Sequence, residues 1–364
     1  MKIAVLGGGN GSLAAAGDFA LNGHDVRLWR RAQADIDNHR RLGNRIAVRD
    51  GDGSREAELA MTTSDIAEAM KGAQLVFCPV PAHAQEDLAQ AIAPHLVPGQ
   101  VVFLPPGTLG SVVFARAAAT AGTLEGVAFA ETGTLPWLVR KHGFAEVLIS
   151  TRAVRLPTGI LPLVLKDQAI AVIGEAFPGV VESCGDVLSA ALMNAGPIIH
   201  PPLILMNAGP LEHFEAWDIH NEGTQASIRR VTDRLDGERV ATREALGYGA
   251  PHFPLADHYR DDGDEWMYNR KSRSNLTKSG DWREKIVLTE HRYMMEDVQL
   301  GLALLCSLAD LAGVEAPVAR GLLSIASAVC GREFARDGRT LATLGLGNLS
   351  RDELQALMRT GFAA

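Results

Sequence analysis

The chain has 364 residues, 47% of them hydrophobic and 21% charged, and carries a formal net charge of −8. That length supports two domains with separate cores. The negative balance argues against nucleic acid or an anionic membrane as a partner, so any anionic ligand must be held by locally placed arginines.

Lys2–Leu6 is a short apolar run, ended at once by Gly7-Gly8-Gly9-Asn10-Gly11-Ser12. A helical pattern follows through Leu13, Ala16, Phe19, Ala20 and Leu21, and Asn22-Gly23 stops it. A second apolar run, Asp25–Trp29, ends at Arg30-Arg31. Strand, glycine turn, helix and strand at this spacing form the βαβ unit that binds a dinucleotide. Gly7 supplies the tight turn, and Gly9 lets the pyrophosphate approach the main chain without a Cβ in the way. The N–H groups opening the helix, at Asn10, Gly11 and Ser12, and its positive end then hold the phosphates. Ser12 stands where the third glycine of the motif usually packs helix against strand.

An acidic residue after the second strand of such a unit bonds the ribose 2′-hydroxyl of NAD, whereas an arginine accommodates the 2′-phosphate of NADP. Here Arg30-Arg31 fills that place, with no Asp or Glu from Val26 to Ala34. Solvated surface arginines would look the same. Position favours a phosphate contact, because a guanidinium forks onto phosphate oxygens where a carboxylate would repel them. The expected cofactor is therefore NADP(H) rather than NAD(H).

From Arg31 to about Arg55 the chain is polar and reads as a helix followed by a surface loop. Leu59–Thr63 reads as a strand, and Ser64-Asp65 can cap a helix over Ile66–Met70. Gln74–Cys78 is apolar after its first residue, as in a parallel strand buried on both faces. It runs into Pro79-Val80-Pro81-Ala82-His83, a rigid turn at a strand's carboxyl end, where open α/β sheets bind ligands. Pro81 is thus a candidate cofactor contact. A helix through Leu88, Ile92 and Leu96, a strand over Val101–Leu104, the loop Pro105–Thr108 and a strand over Val127–Ala130 continue the alternation. The expected fold is α/β: a doubly wound parallel sheet in an N-terminal Rossmann domain.

From Glu146 to about Ile173 short strands with a turn at Pro157-Thr158-Gly159 suggest the far edge of the sheet. Past Pro178 helical patterns dominate, over Asp186–Asn194, Ile198–Ala208, Gln225–Leu246, Arg292–Ala312, Pro317–Val329 and Asp352–Met358. Ser350-x-x-Glu353 is a capping box for the last. The chain divides into a dinucleotide-binding domain, 1–180, and an all-helical substrate domain, 181–364. The polar stretch Asp257–Glu284, with Trp266, Tyr268 and Trp282, reads as a mobile loop or a lid over an interdomain cleft. Cys78, Cys184, Cys306 and Cys330 are scattered among apolar residues without metal spacing, so buried free thiols and no metal site are expected. Lys2–Leu6 reads as a core strand and no apolar run looks long enough to span a membrane. A cytoplasmic protein without a secretory signal is the expectation.

A dehydrogenase needs a proton-exchanging group and a cation for any carboxylate. His200 sits in the apolar segment Ile198–Ile204, where a satisfied core histidine and a general acid or base are both open readings. In Thr289–Val298, the acids Glu296-Asp297 either favour a helix start, or Asp297 orients a histidine as in an acid–base dyad. Arg292 would then fork onto a substrate carboxylate.

At these residues the chain resembles the opine dehydrogenases, the octopine and nopaline synthase-like family, over nearly its full length. The resemblance is carried by Gly7–Gly11, Val80-Pro81-Ala82, Pro106-Gly107, Glu131-Thr132 and His200-Pro201 with Leu205-x-Asn207-Ala208. His291-Arg292-Tyr293-x-x-Glu296-Asp297-Val298 and Gly338-Arg339-Thr340-Leu341-x-x-Leu344-Gly345-Leu346 add to it. It implies that an L-amino acid is joined to a 2-oxo acid and the imine is reduced with NAD(P)H. It further implies that His200 is the catalytic histidine, Asp297 its partner and Arg292 the holder of the oxo-acid carboxylate. Glu131 is a candidate substrate contact, and a homodimer is a compatible assembly. A 2-oxo acid reductase of the ketopantoate or glycerol-3-phosphate dehydrogenase type is the alternative, but no lysine lies in an apolar helical setting of the second domain. A non-catalytic NADP sensor is the other, and it would have no need of a proton relay.

Overall fold

The computed structural model describes residues 1–259, 267–268 and 282–363. The chain forms two compact units, Met1–Ala191 with Leu357–Ala364, and Leu192–Ala356.

The first unit opens with β1 (Lys2–Leu6), α1 (Asn10–Leu21), β2 (Asp25–Trp29) and α2 (Gln33–Arg41). It continues with β3 (Arg45–Asp50), β4 (Gly53–Glu58), β5 (Met61–Thr63), α3 (Ile66–Met70), β6 (Leu75–Phe77) and α4 (Gln85–Ile92). β7 (Val101–Leu104), α5 (Gly110–Ala121) and β8 (Ala128–Thr132) complete the alternation. The Asp65 carboxylate caps α3 by accepting from the Ala67 and Glu68 N–H groups. β6 and β7 are buried at every position, which is why they read as unbroken apolar runs.

The remaining elements of this unit are β9 (Trp137–Gly143), β10 (Glu146–Arg152), β11 (Leu156–Leu161), α6 (Lys166–Ala176), β12 (Val181–Asp186) and α7 (Val187–Ala191). The main sheet runs β12-β11-β8-β7-β6-β1-β2-β5. Its strands from β8 to β5 are mutually parallel, while β11 pairs antiparallel with β8 and carries β12 beside it. Strand order reverses between β1 and β6. The loops after Leu6 and Phe77 therefore flank the crevice where such sheets bind ligands.

Four expectations need correction. The stretch after α2 is not a surface loop. It is the hairpin β3–β4, part of a second sheet ordered β4-β3-β10-β9. Ile46 and Val48 are fully buried and pack toward α1, while the neighbouring arginines face out. This period-two signal was hidden by the surrounding charge. Pro157-Thr158-Gly159 lies inside β11 and is no turn, and Lys166–Ala176 is helix. The sheet's last strand, β12, also lies beyond residue 180. Finally, Val187–Met206 is long and apolar enough to cross a membrane, with a mean hydropathy of 1.3, but 78% of it is buried. Burial on that scale marks a core segment.

The second unit contains α8 (Gly196–Met206), α9 (Ala208–His213), α10 (Ala226–Ala245), a π-helix over Tyr293–Leu302, α11 (Ala303–Ala312) and α12 (Pro317–Cys330). Short α13 (Phe334–Asp337) follows, and α14 (Arg351–Thr360) begins in this unit and ends in the first. Ser350 and Glu353 form the expected capping box, each backbone N–H donating to the other's side chain. The buried Glu238 of α10 caps α12 by accepting from the Val318 and Ala319 N–H groups, both at 2.9 Å. Among its described residues the unit is mainly helical and adds a two-residue antiparallel ribbon, Trp217–Asp218 (β13) against Arg283–Glu284 (β14). The lid expected around Trp266 falls mostly on residues 260–266 and 269–281, outside the described residues. Cys78 and Cys306 are buried free thiols, while Cys184 and Cys330 are only half-buried.

Candidate active site

The glycine turn joins β1 to α1 at the reversal of strand order. Gly7 has φ +125°, open to glycine at little cost. Space stands open beside Gly9, where a Cβ would meet no atom within 4 Å. The α1 amides follow directly. The Ser12 hydroxyl is buried beside Gly7 and has no hydrogen-bond partner among the described residues. An orphaned hydroxyl, free helix-start amides and unfilled room over Gly9 suit the pyrophosphate of a dinucleotide. Asn10 faces another way, accepting from the Lys141 N–H of β9 at 2.9 Å and so tying β9 to the helix start. At Gly11 a Cβ would press on Leu135 at 2.9 Å, so close packing as well as phosphate access selects glycine there.

A cavity of about 310 Å³ lies over the turn, lined by Gly7, Gly8, Arg30, Arg31, Asp35 and Val80 among others. Val80 rather than Pro81 lines it; Pro81 leads the following turn, its carbonyl accepting from the Ala84 N–H at 2.9 Å. Arg31 is exposed. Arg30 is not. Its Nη2 donates to Asp35 Oδ2 at 2.8 Å, its Nη1 lies 3.3 Å from His39 Nε2, and its guanidinium stacks over Phe144 at 5.4 Å. Burial and the Arg30 charge hold the His39 imidazole neutral, with its pKa pushed down to about 4.

Glu131 does not behave as a substrate contact. Its carboxylate is fully buried and accepts from the Leu109 N–H at 2.8 Å and the Ser111 hydroxyl at 2.7 Å. It pins the loop before α5. Glu131 stands at the carboxyl end of β8, but the hydrogen bonds of its carboxylate are internal.

In the second unit, His200 of α8 and Asp297 of the π-helix meet, although 97 positions separate them. His200 Nδ1 lies 2.7 Å from Asp297 Oδ2, with both side chains largely buried. Donation from Nδ1–H leaves Nε2 as the nitrogen that can exchange a proton. α8 contains Pro201 and Pro202 directly after the histidine, which remove two helical N–H donors and loosen the ladder there. The approach of the two elements requires Gly196, since a Cβ there would collide with Asp297 Oδ1.

Two further rings complete the pair. Tyr293 stacks on His200, and its hydroxyl lies 2.7 Å from His220 Nε2. His220 in turn meets the Trp282 ring edge-on at 4.7 Å. Arg292 is exposed over 59% of its side chain and pairs with Glu296 at 3.2 Å, one helical step from Asp297. Burial opposes its charge, but the Glu296 and Asp297 carboxylates outweigh that and raise its pKa. It remains a fork available to an anion.

Asp35, Tyr293, His220 and the spacing role of Gly8 and Gly196 escaped the sequence reading. Tyr293 stands within the Arg-Tyr-x-x-Glu-Asp motif, and Asp35 lies past the end of β2, in the first turn of α2. No sequence signal marked His220.

Fold and site together define an NAD(P)-dependent oxidoreductase built from a Rossmann unit and a helical unit. Residues 183–330 match the model of the NAD/NADP octopine/nopaline dehydrogenase α-helical domain, and residues 2–104 that of the NAD-dependent glycerol-3-phosphate dehydrogenase N-terminus. The opine dehydrogenase of Arthrobacter sp. (strain 1C) is 28% identical over 359 residues, covering 95% of this chain and 96% of that one. An octopine dehydrogenase structure in complex with NADH and agmatine superposes with a TM-score of 0.75 at 19% identity, covering 100% and 98% of the two chains. A yersinopine dehydrogenase with NADP+ bound gives 0.65 at 14% identity, covering 99% and 98%. Over nearly its full length the chain is thus similar to opine dehydrogenases.

Proposed function

We propose that the protein condenses an L-amino acid with a 2-oxo acid and reduces the resulting imine, releasing water and an N-(carboxyalkyl)amino acid, or runs the reverse. The observation that carries this reading is the 2.7 Å contact between His200 Nδ1 and Asp297 Oδ2. Asp297 orients the imidazole and stabilises its protonated form. His200 Nε2 then gives a proton to the carbinolamine oxygen, so that it leaves as water. Arg292 holds the oxo-acid carboxylate by a charge-assisted fork. NAD(P)H supplies the hydride that the imine carbon receives. Gly7, Gly9, the α1 amides and the Ser12 hydroxyl hold its pyrophosphate.

For the dinucleotide we favour NADPH, on the ground that Arg30 and Arg31 end β2 where a 2′-phosphate would lie. Relatives of this fold contain NADH in one case and NADP+ in another, so either dinucleotide suits the scaffold. A homodimer in the cytoplasm remains our expectation.

The test is NADPH oxidation with a panel of 2-oxo acids, each with and without L-amino acids. Oxidation that requires both substrates supports the reading. Oxidation by oxo acid alone would replace it with the simple reductase, and tight NADPH binding without turnover would favour a sensor.

A further inference from the structure

We propose that Asp35 is a cofactor-selecting residue, restraining Arg30 from a 2′-phosphate and offering its own carboxylate to a 2′-hydroxyl. The inference rests on the reading that the glycine turn holds NAD(P)H. It does not depend on which of the two is preferred.

The ordinary pattern places either an acid or an arginine at the end of the second strand. This cavity holds one of each, bonded to the other. Arg30 Nη2 donates to Asp35 Oδ2 at 2.8 Å, and only 11% of the Arg30 side chain is exposed. The guanidinium is hemmed in by two further neighbours. Phe144 lies 5.4 Å away on one side. On another, the atoms Nε and Cζ occupy the place a Gly8 Cβ would take. That contact explains the middle glycine, which the pyrophosphate motif itself does not require. Its remaining nitrogen, Nη1, is next to the buried His39. Arg30 therefore cannot turn freely toward a new anion.

Two consequences follow from charge. A 2′-phosphate entering here must take Arg30 away from Asp35 and then bear the carboxylate's repulsion at close range. A 2′-hydroxyl needs neither, because Asp35 accepts from it while keeping Arg30 as its counter-ion. The Asp35 side chain is 31% exposed within the cavity lining, so an entering hydroxyl can reach it. Arg31, exposed at the rim, favours a phosphate and opposes this bias. The ratio of the two cofactors is then set by the balance between Arg31 and Asp35, with Arg30 as the shared partner.

The experiment measures kcat/KM for NADPH and for NADH on the same preparation of the full-length Asp35→Asn variant. Its ratio is independent of the folded fraction. We expect the NADPH/NADH ratio to rise tenfold or more over the unaltered protein. A ratio unchanged within twofold, or one that falls because Asp35 merely orders Arg30, would overturn the proposal. Arg30→Ala run in parallel separates this from the NADPH reading. If Arg30→Ala lowers the ratio and Asp35→Asn leaves it unmoved, the selector role fails while the phosphate contact stands. If only Asp35→Asn moves it, upward, the selector role stands without Arg30 as phosphate ligand. Direct binding of NADH and NADPH, followed by their fluorescence, must show the same direction.

Discussion

The ring of Tyr293 lies flat on the imidazole of His200, with centroids 3.7 Å apart and planes 7° from parallel. Tyr293 is itself nearly buried, at 4% exposure. Its hydroxyl is tied to His220 Nε2 at 2.7 Å. The stack fixes the plane of the imidazole, and Asp297 fixes the rotation within that plane. Together they leave His200 one orientation, which is what a proton donor needs before substrate arrives.

Removing the stack should therefore cost turnover rather than cofactor binding. Tyr293→Leu is expected to lower kcat by roughly 10- to 100-fold, the usual penalty for a misplaced catalytic group, with the dinucleotide KM unchanged. Tyr293→Phe keeps the ring and should retain most of the activity. Equal losses in both variants would contradict a positioning role for the ring.

His200→Ala should lower kcat by roughly 10²–10⁴, the range for a lost general acid or base. Asp297→Asn keeps the shape of the pair and removes the charge, so its loss should approach that of His200→Ala, and the double variant should lose little more. Such non-additivity is expected of groups that act as a unit. Fully additive losses in steady-state NAD(P)H oxidation would show that the two do not work together.

Arg30→Asp places a second carboxylate in the cavity beside Asp35. Preference should move toward NADH, read as the ratio of kcat/KM for the two dinucleotides. A ratio equal to that of the unaltered protein would refute the contact between Arg30 and a 2′-phosphate.

His39 makes the fold sensitive to acid. Its side chain is fully buried, and its pKa is pushed down to about 4 from an ordinary 6.5, by burial first and the Arg30 charge second. Protons then bind the unfolded chain more readily than the folded one. The contribution of neutral His39 is complete above pH 6.5 and is lost as pH falls from 6.5 toward 4. The loss should reach roughly 1–3 kcal/mol. Urea midpoints across that window should fall less steeply for His39→Gln than for the unaltered chain. Parallel slopes would argue that the buried imidazole does not govern the transition.

Much of the first unit was legible because its signals are local. β1, the glycine turn, α1 and β2 are contiguous; β1 is buried at all but its first position, and β2 alternates, with Val26 and Leu28 buried. The Asp65 cap and the Ser350–Glu353 box depend only on side chains reaching their own backbone within three residues. The hairpin β3–β4 was missed because its partner, β10, lies about a hundred positions away in the chain. Arg45, Arg49 and Arg55 hid the alternation of Ile46 and Val48. Glu131 was misread for a related reason. Nothing near it in sequence shows that Leu109 and Ser111 occupy its oxygens.

By itself, the sequence pointed to Gly7–Ser12 as a dinucleotide-binding turn. It also singled out His200, Arg292 and Asp297, because chemistry of that kind needs those residue types. Whether His200 and Asp297 touch was beyond it. That contact depends on α8 and the π-helix approaching closely enough for Gly196 to lie against Asp297. The tertiary structure also decided the state of Arg30. In sequence it is a free cation after a strand, but in the fold it is held by Asp35, Phe144 and the bare backbone of Gly8. A side chain's type is a local property, whereas its partners follow from the packing of distant segments.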